Sequence, residues 1–203
     1  MIRLYLKVAV LAVAIIIGSF SAQAQKAGGT LVYIVQPEPP TLASYVSTSG
    51  PIGLVAPKIY EGLFDYDNDL NIIPVLAESY SVSKNGKTVT FNLRKGVTWH
   101  DGKPFTSADV KFTILEVLKK VHPRGPNSFS EVYRIDTPDA HTAIFKLNNP
   151  APYMLRSFAA YESPIVPKHL LEGKDIKSAD LGKSPVGTGP FKFQYWKEGV
   201  KLV

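Results

Sequence analysis

Between residues 78 and 147 the chain twice alternates apolar and polar side chains, with a helical stretch between the two runs. Val89, Phe91 and Leu93 alternate with Thr90 and Asn92, which is the period of a strand with one buried face. Asn85-Gly86 stands just before them, and this dipeptide suits the positive φ angles of a tight turn. Residues 78–83 and 88–93 are therefore predicted to form a hairpin. A second hairpin is predicted from residues 133–135 and 142–147, with Thr137-Pro138-Asp139 as its turn and Ala143, Phe145 and Leu147 on one face. Between the hairpins, Val110, Ile114, Leu118 and Val121 recur at helical spacing. Thr106 and Asp109 resemble a capping box at its start, and His122-Pro123 ends it.

The remaining mature chain reads less sharply. Residues 30–35, Thr-Leu-Val-Tyr-Ile-Val, predict a buried strand. Residues 36–40 contain three prolines and predict a loop. Residues 41–53 are rich in Ser, Thr and Gly, with Tyr45 as the one large ring, and residues 55–63 predict a short helix ending at Gly62. Pro152 and Pro167 each suit a first helical turn, and the second of these helices should stop at Gly173. Residues 174–186 predict a surface loop, and Gly187-Thr188-Gly189-Pro190 is expected to open a strand over residues 191–196.

The start of the chain predicts export. Arg3 and Lys7 precede an apolar run over residues 8–17, Gly18-Ser19 breaks it, and Ala22-Gln23-Ala24 presents small residues for cleavage after Ala24. That run is shorter than the roughly 20 apolar residues of a membrane-spanning helix. Removing residues 1–24, which carry Arg3, Lys7 and no acid, takes the net charge from +6 to +4. The basic residues are spread along the chain without interleaved aromatics, so nucleic acid is not an expected partner. Cysteine is absent, which excludes disulfides, thiolate metal ligands and a lipid-bearing cysteine at the cut. No cofactor and no metal are called for: His100, His122, His141 and His169 are widely spaced, and only His100-Asp101 could make a ligand pair.

Five collinear segments resemble one family. Tyr60-Glu61-Gly62-Leu63 and Pro74-Val75-Leu76-Ala77-Glu78-Ser79-Tyr80 are similar to the opening of the extracytoplasmic solute-binding proteins of family 5, the oligopeptide- and dipeptide-binding proteins of ABC importers. Residues 90–110, from Thr90 through Trp99-His100-Asp101-Gly102 to Val110, resemble the family's signature almost position by position. Residues 164–169 and 185–192 resemble its later segments. Turn and cap chemistry explains each signature residue, so the signature reads as a folding element, with a Trp99 N–H that needs a partner.

The resemblance implies an α/β chain of the periplasmic binding protein type II kind, a two-lobed clamp with an extra domain. It assigns residues 25–60 to the first lobe, 61–166 to an extra α+β domain, and 167–203 to a return to the first lobe. The second lobe is expected beyond Val203, so the fold is expected to be truncated. It implies a periplasmic receptor, a monomer, that binds a peptide or peptide-like solute and hands it to ABC permease subunits. Tyr45, Ser47, Thr48, Ser49 and Gly50 line up with a loop that touches bound peptide in relatives. Where relatives often carry an acidic residue, this chain has Thr41-Leu42-Ala43-Ser44. Two other functions remain open. Ser81-Val82-Ser83-Lys84 carries the S-x-x-K pattern of a secreted serine hydrolase, although that mechanism needs a helix and this segment predicts a hairpin. A truncated, non-binding remnant of the transporter protein is the other. Gly187-Thr188-Gly189 precedes a strand and not a helix, which discards a phosphate loop.

Overall fold

The computed structural model describes residues 30–178 and 180–203. The predicted leader and its cleavage after Ala24 lie outside the described residues. Two units divide the chain, one reaching to Ile34 and the other spanning Val35–Val203. In the first, residues 30–34 form no strand, and Leu31, Val32 and Ile34 are each about four-fifths exposed. The expected buried strand is not there. A strand needs a neighbour for its N–H and C=O groups, and none pairs with it among the described residues.

In the second unit a small ladder comes first: β1 (Phe64–Tyr66) pairs antiparallel with β2 (Ile72–Pro74). A four-stranded antiparallel sheet follows, built from β3 (Ala77–Val82), β4 (Thr88–Leu93), β5 (Val132–Asp139) and β6 (Thr142–Leu147) in the order β3-β4-β6-β5. The first hairpin turns as its sequence requires. Gly86 has φ +70°, its N–H donates to the Ser83 carbonyl at 2.8 Å, and the Ser83 hydroxyl donates to Asn85 Oδ1 at 2.7 Å. The second hairpin differs from expectation. Thr137-Pro138-Asp139 belongs to β5, and the turn falls at Ala140-His141. A register shift between Asp136 and Asp139 lets Pro138 sit in this edge strand, where its missing N–H leaves no gap in the ladder.

Register puts the alternating apolar residues on one face: Val89 faces Phe145, Phe91 faces Ala143, and Ile135 faces Phe145. Across this face runs the predicted helix. It starts as Ser107–Phe112, continues as a π-helical stretch over Thr113–Leu118, and ends with Lys119–Val121 at extended His122. Val110, Ile114 and Leu118 are buried completely. Asp109 closes the capping box by accepting the Thr106 N–H at 2.9 Å, and its other oxygen accepts the Lys168 N–H at 2.9 Å. Asp109 thus caps one helix and positions the short helix Lys168–Leu171, which ends as predicted before Gly173. Thr113 makes a second tie, donating to the Val166 carbonyl and accepting the Val166 N–H. At the centre, the Phe91 ring centroid lies 4.9 Å from those of both Phe145 and Phe158, and the Phe129 ring is tilted against Phe158 at 5.5 Å.

The Trp99 turn joins the sheet to the helix, as the sequence implied. Trp99 N–H donates to the Lys103 carbonyl at 2.8 Å, and the buried indole packs edge-on to Phe105. Its Nε1 finds no partner among the described residues.

Elsewhere the local reading needed correction. Within residues 41–53 a 3-10 turn, Ser44–Val46, leads to a helix at Gly50–Val55. That helix begins five residues before the predicted one because Pro51 suits its first turn. It tightens into a 3-10 turn, Ala56–Lys58, around Pro57, which cannot donate an α-helical hydrogen bond. Residues 174–186 are not wholly a surface loop, since Leu181 and Gly182 are buried and Gly182 accepts the Leu42 N–H at 2.8 Å. Of the strand expected over residues 191–196, only its end forms, as β7 (Trp196–Lys197) paired with β8 (Lys201–Leu202). Residues 187–191 are instead held against the chain, with Gly189 and Phe191 donating to the carbonyls of Ile59 and Lys58.

Candidate ligand-binding site

The five predicted contact residues form one continuous bend with two different faces. Tyr45 is fully buried, its ring edge-on to Tyr60 at 6.4 Å. Burial pushes both phenols up, so both stay neutral, and neither hydroxyl has a partner among the described residues. Ser47, Thr48 and Ser49 are half-buried and Gly50 is exposed. Ser47 (φ −150°, ψ 141°) and Ser49 (φ −61°, ψ 136°) are extended. Ser49 donates its N–H to the Ser47 hydroxyl at 3.3 Å and gives its carbonyl to Gly53. The N–H groups of Thr48 and Gly50 have no acceptor among the described residues. An extended segment with free donors can pair with another main chain.

A residue the sequence did not single out organises this bend. Tyr161 donates its hydroxyl to the Thr48 carbonyl at 3.2 Å. Its ring lies on Gly53, where an added Cβ would come 2.1 Å from Cε2, so glycine is required for this approach. The Arg124 guanidinium stacks 5.5 Å from the ring centroid and pairs with Glu162. Beside the bend lies an open cavity of about 460 Å³, lined by Gln36, Pro37, Gly50, Pro51, Gly53, Leu54 and Tyr161.

Two more residues hold the surroundings. Glu38 follows the cavity wall at Gln36-Pro37, and its carboxylate accepts the Trp196 indole N–H at 2.8 Å and the Gly199 N–H at 2.8 Å. His100 fastens the Trp99 turn to residues 187–189: its Nδ1 accepts the Gly187 N–H at 3.3 Å and its Nε2 lies 2.8 Å from the Gly189 carbonyl. This pattern needs the neutral ring protonated on Nε2. The suggested His100-Asp101 pair does not form as such, because Asp101 turns to His169 at 2.6 Å. Burial raises the Asp101 carboxyl, but hydrogen bonds from His169 and the Lys103 N–H outweigh it and leave the group below its ordinary value. These partners lie 68 to 161 residues apart in sequence, so no local pattern marks them.

The S-x-x-K segment lies on β3 and its turn, not on a helix. Ser81 faces Thr90 in the ladder, and the Ser83 hydroxyl is engaged with Asn85 and the Thr88 N–H. Among the described residues no three His, Asp or Glu side chains are grouped as metal ligands, and no helix is long and apolar enough to cross a membrane.

Comparison with known proteins places this geometry. A putative ABC transporter peptide-binding protein of Brucella ovis is 37% identical over 140 residues, 66% of this chain and 26% of that protein. The binding protein AgaA of A. tumefaciens R10, solved with agropinic acid, is 40% identical with a TM-score of 0.68 over 81% of this chain and 33% of its own. The oligopeptide-binding protein AppA of Bacillus subtilis, solved with a nonapeptide, is 28% identical with a TM-score of 0.73 over 81% and 34%. The chain thus spans about a quarter of the curated relative and about a third of each solved neighbour. The fold is a partial α/β fold of the type II periplasmic binding proteins, and the relatives named here are binding proteins by name. The profile of the bacterial extracellular solute-binding proteins, family 5 middle region, matches residues 71–203. The chain belongs to the bacterial extracellular solute-binding proteins of family 5.

Proposed function

We propose that this chain is part of the substrate-binding component of an ABC importer for peptides or peptide-like solutes. It works outside the cytoplasmic membrane, in the periplasm, after cleavage of its leader behind Ala24. Its partners are the solute and the permease subunits, and it acts as a monomer without cofactor or nucleic acid. Residues 25–60 and 167–203 serve as first-lobe segments around an extra domain at 61–166. The observation that carries the proposal is the bend at Tyr45, Ser47, Thr48, Ser49 and Gly50: backbone extended at Ser47 and Ser49, beside an open cavity, with Thr48 and Gly50 N–H groups that have no acceptor among the described residues. Main-chain pairing there holds a peptide while ignoring its sequence, which suits a receptor for many peptides. The names of the Brucella and Bacillus proteins support the peptide class.

Calorimetry with a mixture of tri- to pentapeptides tests it. The expected result is saturable heat with intact peptide recovered, and loss of that heat in Thr48→Pro, which removes one free N–H. Released amino acids would favour the hydrolase instead. The coverage of about a quarter of the curated relative favours a second reading, a piece that does not bind alone. Heat from a full-length relative together with none from this chain would establish that reading.

A further inference from the structure

We infer that the cavity beside residues 47–50 is a pocket for an apolar, preferentially aromatic, side chain of the solute, and that Tyr161 sets its shape. This rests on the solute-binding reading and adds a side-chain preference that main-chain pairing cannot supply. Carbon dominates the lining. Pro37, Pro51, Leu54 and the Tyr161 ring line it with the uncharged Gln36, no charged side chain lines it among the described residues, and the one polar group of the ring is already engaged with Thr48. A charged side chain entering there would lose water and meet no opposite charge among the lining residues. An apolar one would cover Leu54, which is 48% exposed. The volume of about 460 Å³ exceeds the roughly 150 Å³ of an enclosed cavity that takes benzene, so an aromatic ring has room while the cavity stays open to solvent. Gly50 lines the cavity directly after the extended Ser49, and the Thr48 carbonyl holds the lining Tyr161. A solute strand paired to this bend would direct alternate side chains to opposite sides, and one set would enter the cavity.

The wall is fixed from three directions. Thr48 holds the Tyr161 hydroxyl, Gly53 lets the ring approach the helix closely, and Arg124 covers the ring while its charge is met by Glu162. Gly53 is therefore a positioning residue: it lines the cavity without a side chain and acts through Tyr161.

The test is an amide-resolved NMR titration of the chain with indole and, separately, with acetamide. Indole is expected to shift the Gly50 and Gly53 amides saturably, and acetamide is not. Gly53→Ala should weaken indole binding about tenfold, the scale of a lost aromatic contact. In a Tyr161→Ala background the same change should have no further effect, which a merely structural role would not produce. Should Gly53→Ala disturb the fold, Tyr161→Ala alone must show the loss. Absence of indole shifts, equal shifts with acetamide, or shifts of these amides on dilution without probe, which would put a second copy in the cavity, each overturn the inference. Indole binding without peptide binding would remove the peptide reading and leave the pocket. Peptide binding that does not distinguish Gly-Phe-Gly from Gly-Asp-Gly would do the reverse.

Discussion

Residues 88–93 and residues 30–34 are both rich in strand-forming side chains, yet they end in opposite environments. Val89, Phe91 and Leu93 are buried between two neighbouring strands and under a capped helix. Leu31, Val32 and Ile34 stand in water without a partner strand among the described residues. Strand preference is a statement about fitting a half-buried pleated surface. The first segment carries its partners nearby, through an Asn-Gly turn on one side and a helix and hairpin on the other. The second must find its partner elsewhere, and its sequence cannot say where.

This contrast can be broken in four ways. The largest effect is expected at the centre of the sheet. Phe91→Ala removes a ring that touches Phe145 and Phe158, and should cost about 3–5 kcal/mol in denaturant unfolding. A cost below 1 kcal/mol would show that this face is not the core.

The next effect follows pH. Burial, helped by the charge of Arg124, pushes the His122 imidazole down to about 4. Its Nδ1 accepts the Gly125 N–H at 3.1 Å, a bond only the unprotonated nitrogen can make. The unfolded chain takes up that proton near pH 6.5 and the folded chain does not. Stability from this group is therefore complete above pH 6.5 and falls by roughly 3 kcal/mol as pH drops toward 4. In His122→Gln the slope over this window should flatten. An unchanged slope would place the titrating group elsewhere.

A smaller effect is expected where the block meets its flank. Asp109→Ala leaves the Thr106 and Lys168 N–H groups without their acceptor and should cost about 1–3 kcal/mol, part of it restored by Asn. Equal loss in both variants would show that the charge, not the acceptor geometry, matters. The smallest effect is expected at Val32, which is 82% exposed, where Val32→Ala should stay within about 0.5 kcal/mol. A larger loss would mean that the segment packs after all.

The same contrast explains what could be read from the chain alone. The two hairpins, the Thr106–Asp109 cap, the stop at His122-Pro123 and the Trp99 turn are all written within a few residues, and each formed. Pro138 marks a turn by local pattern but sits in an edge strand, which tolerates it. Of the site, the extended bend at residues 47–50 was indicated by family resemblance. Tyr161 and Glu38 were not, because each acts through a partner brought in by the fold across 113 to 161 residues. Gly53 ends a stretch rich in Ser, Thr and Gly, where nothing local marks it. Its reason is a ring more than a hundred positions away.

Hydrogen exchange followed amide by amide addresses the contrast directly. Amides of residues 88–93 and 142–147 should exchange only through global unfolding, while those of residues 31–34 exchange at the rate of an open chain. Protection of Leu31, Val32 and Ile34 equal to that of Phe91 would mean that the first segment has a strand partner, and would contradict the account.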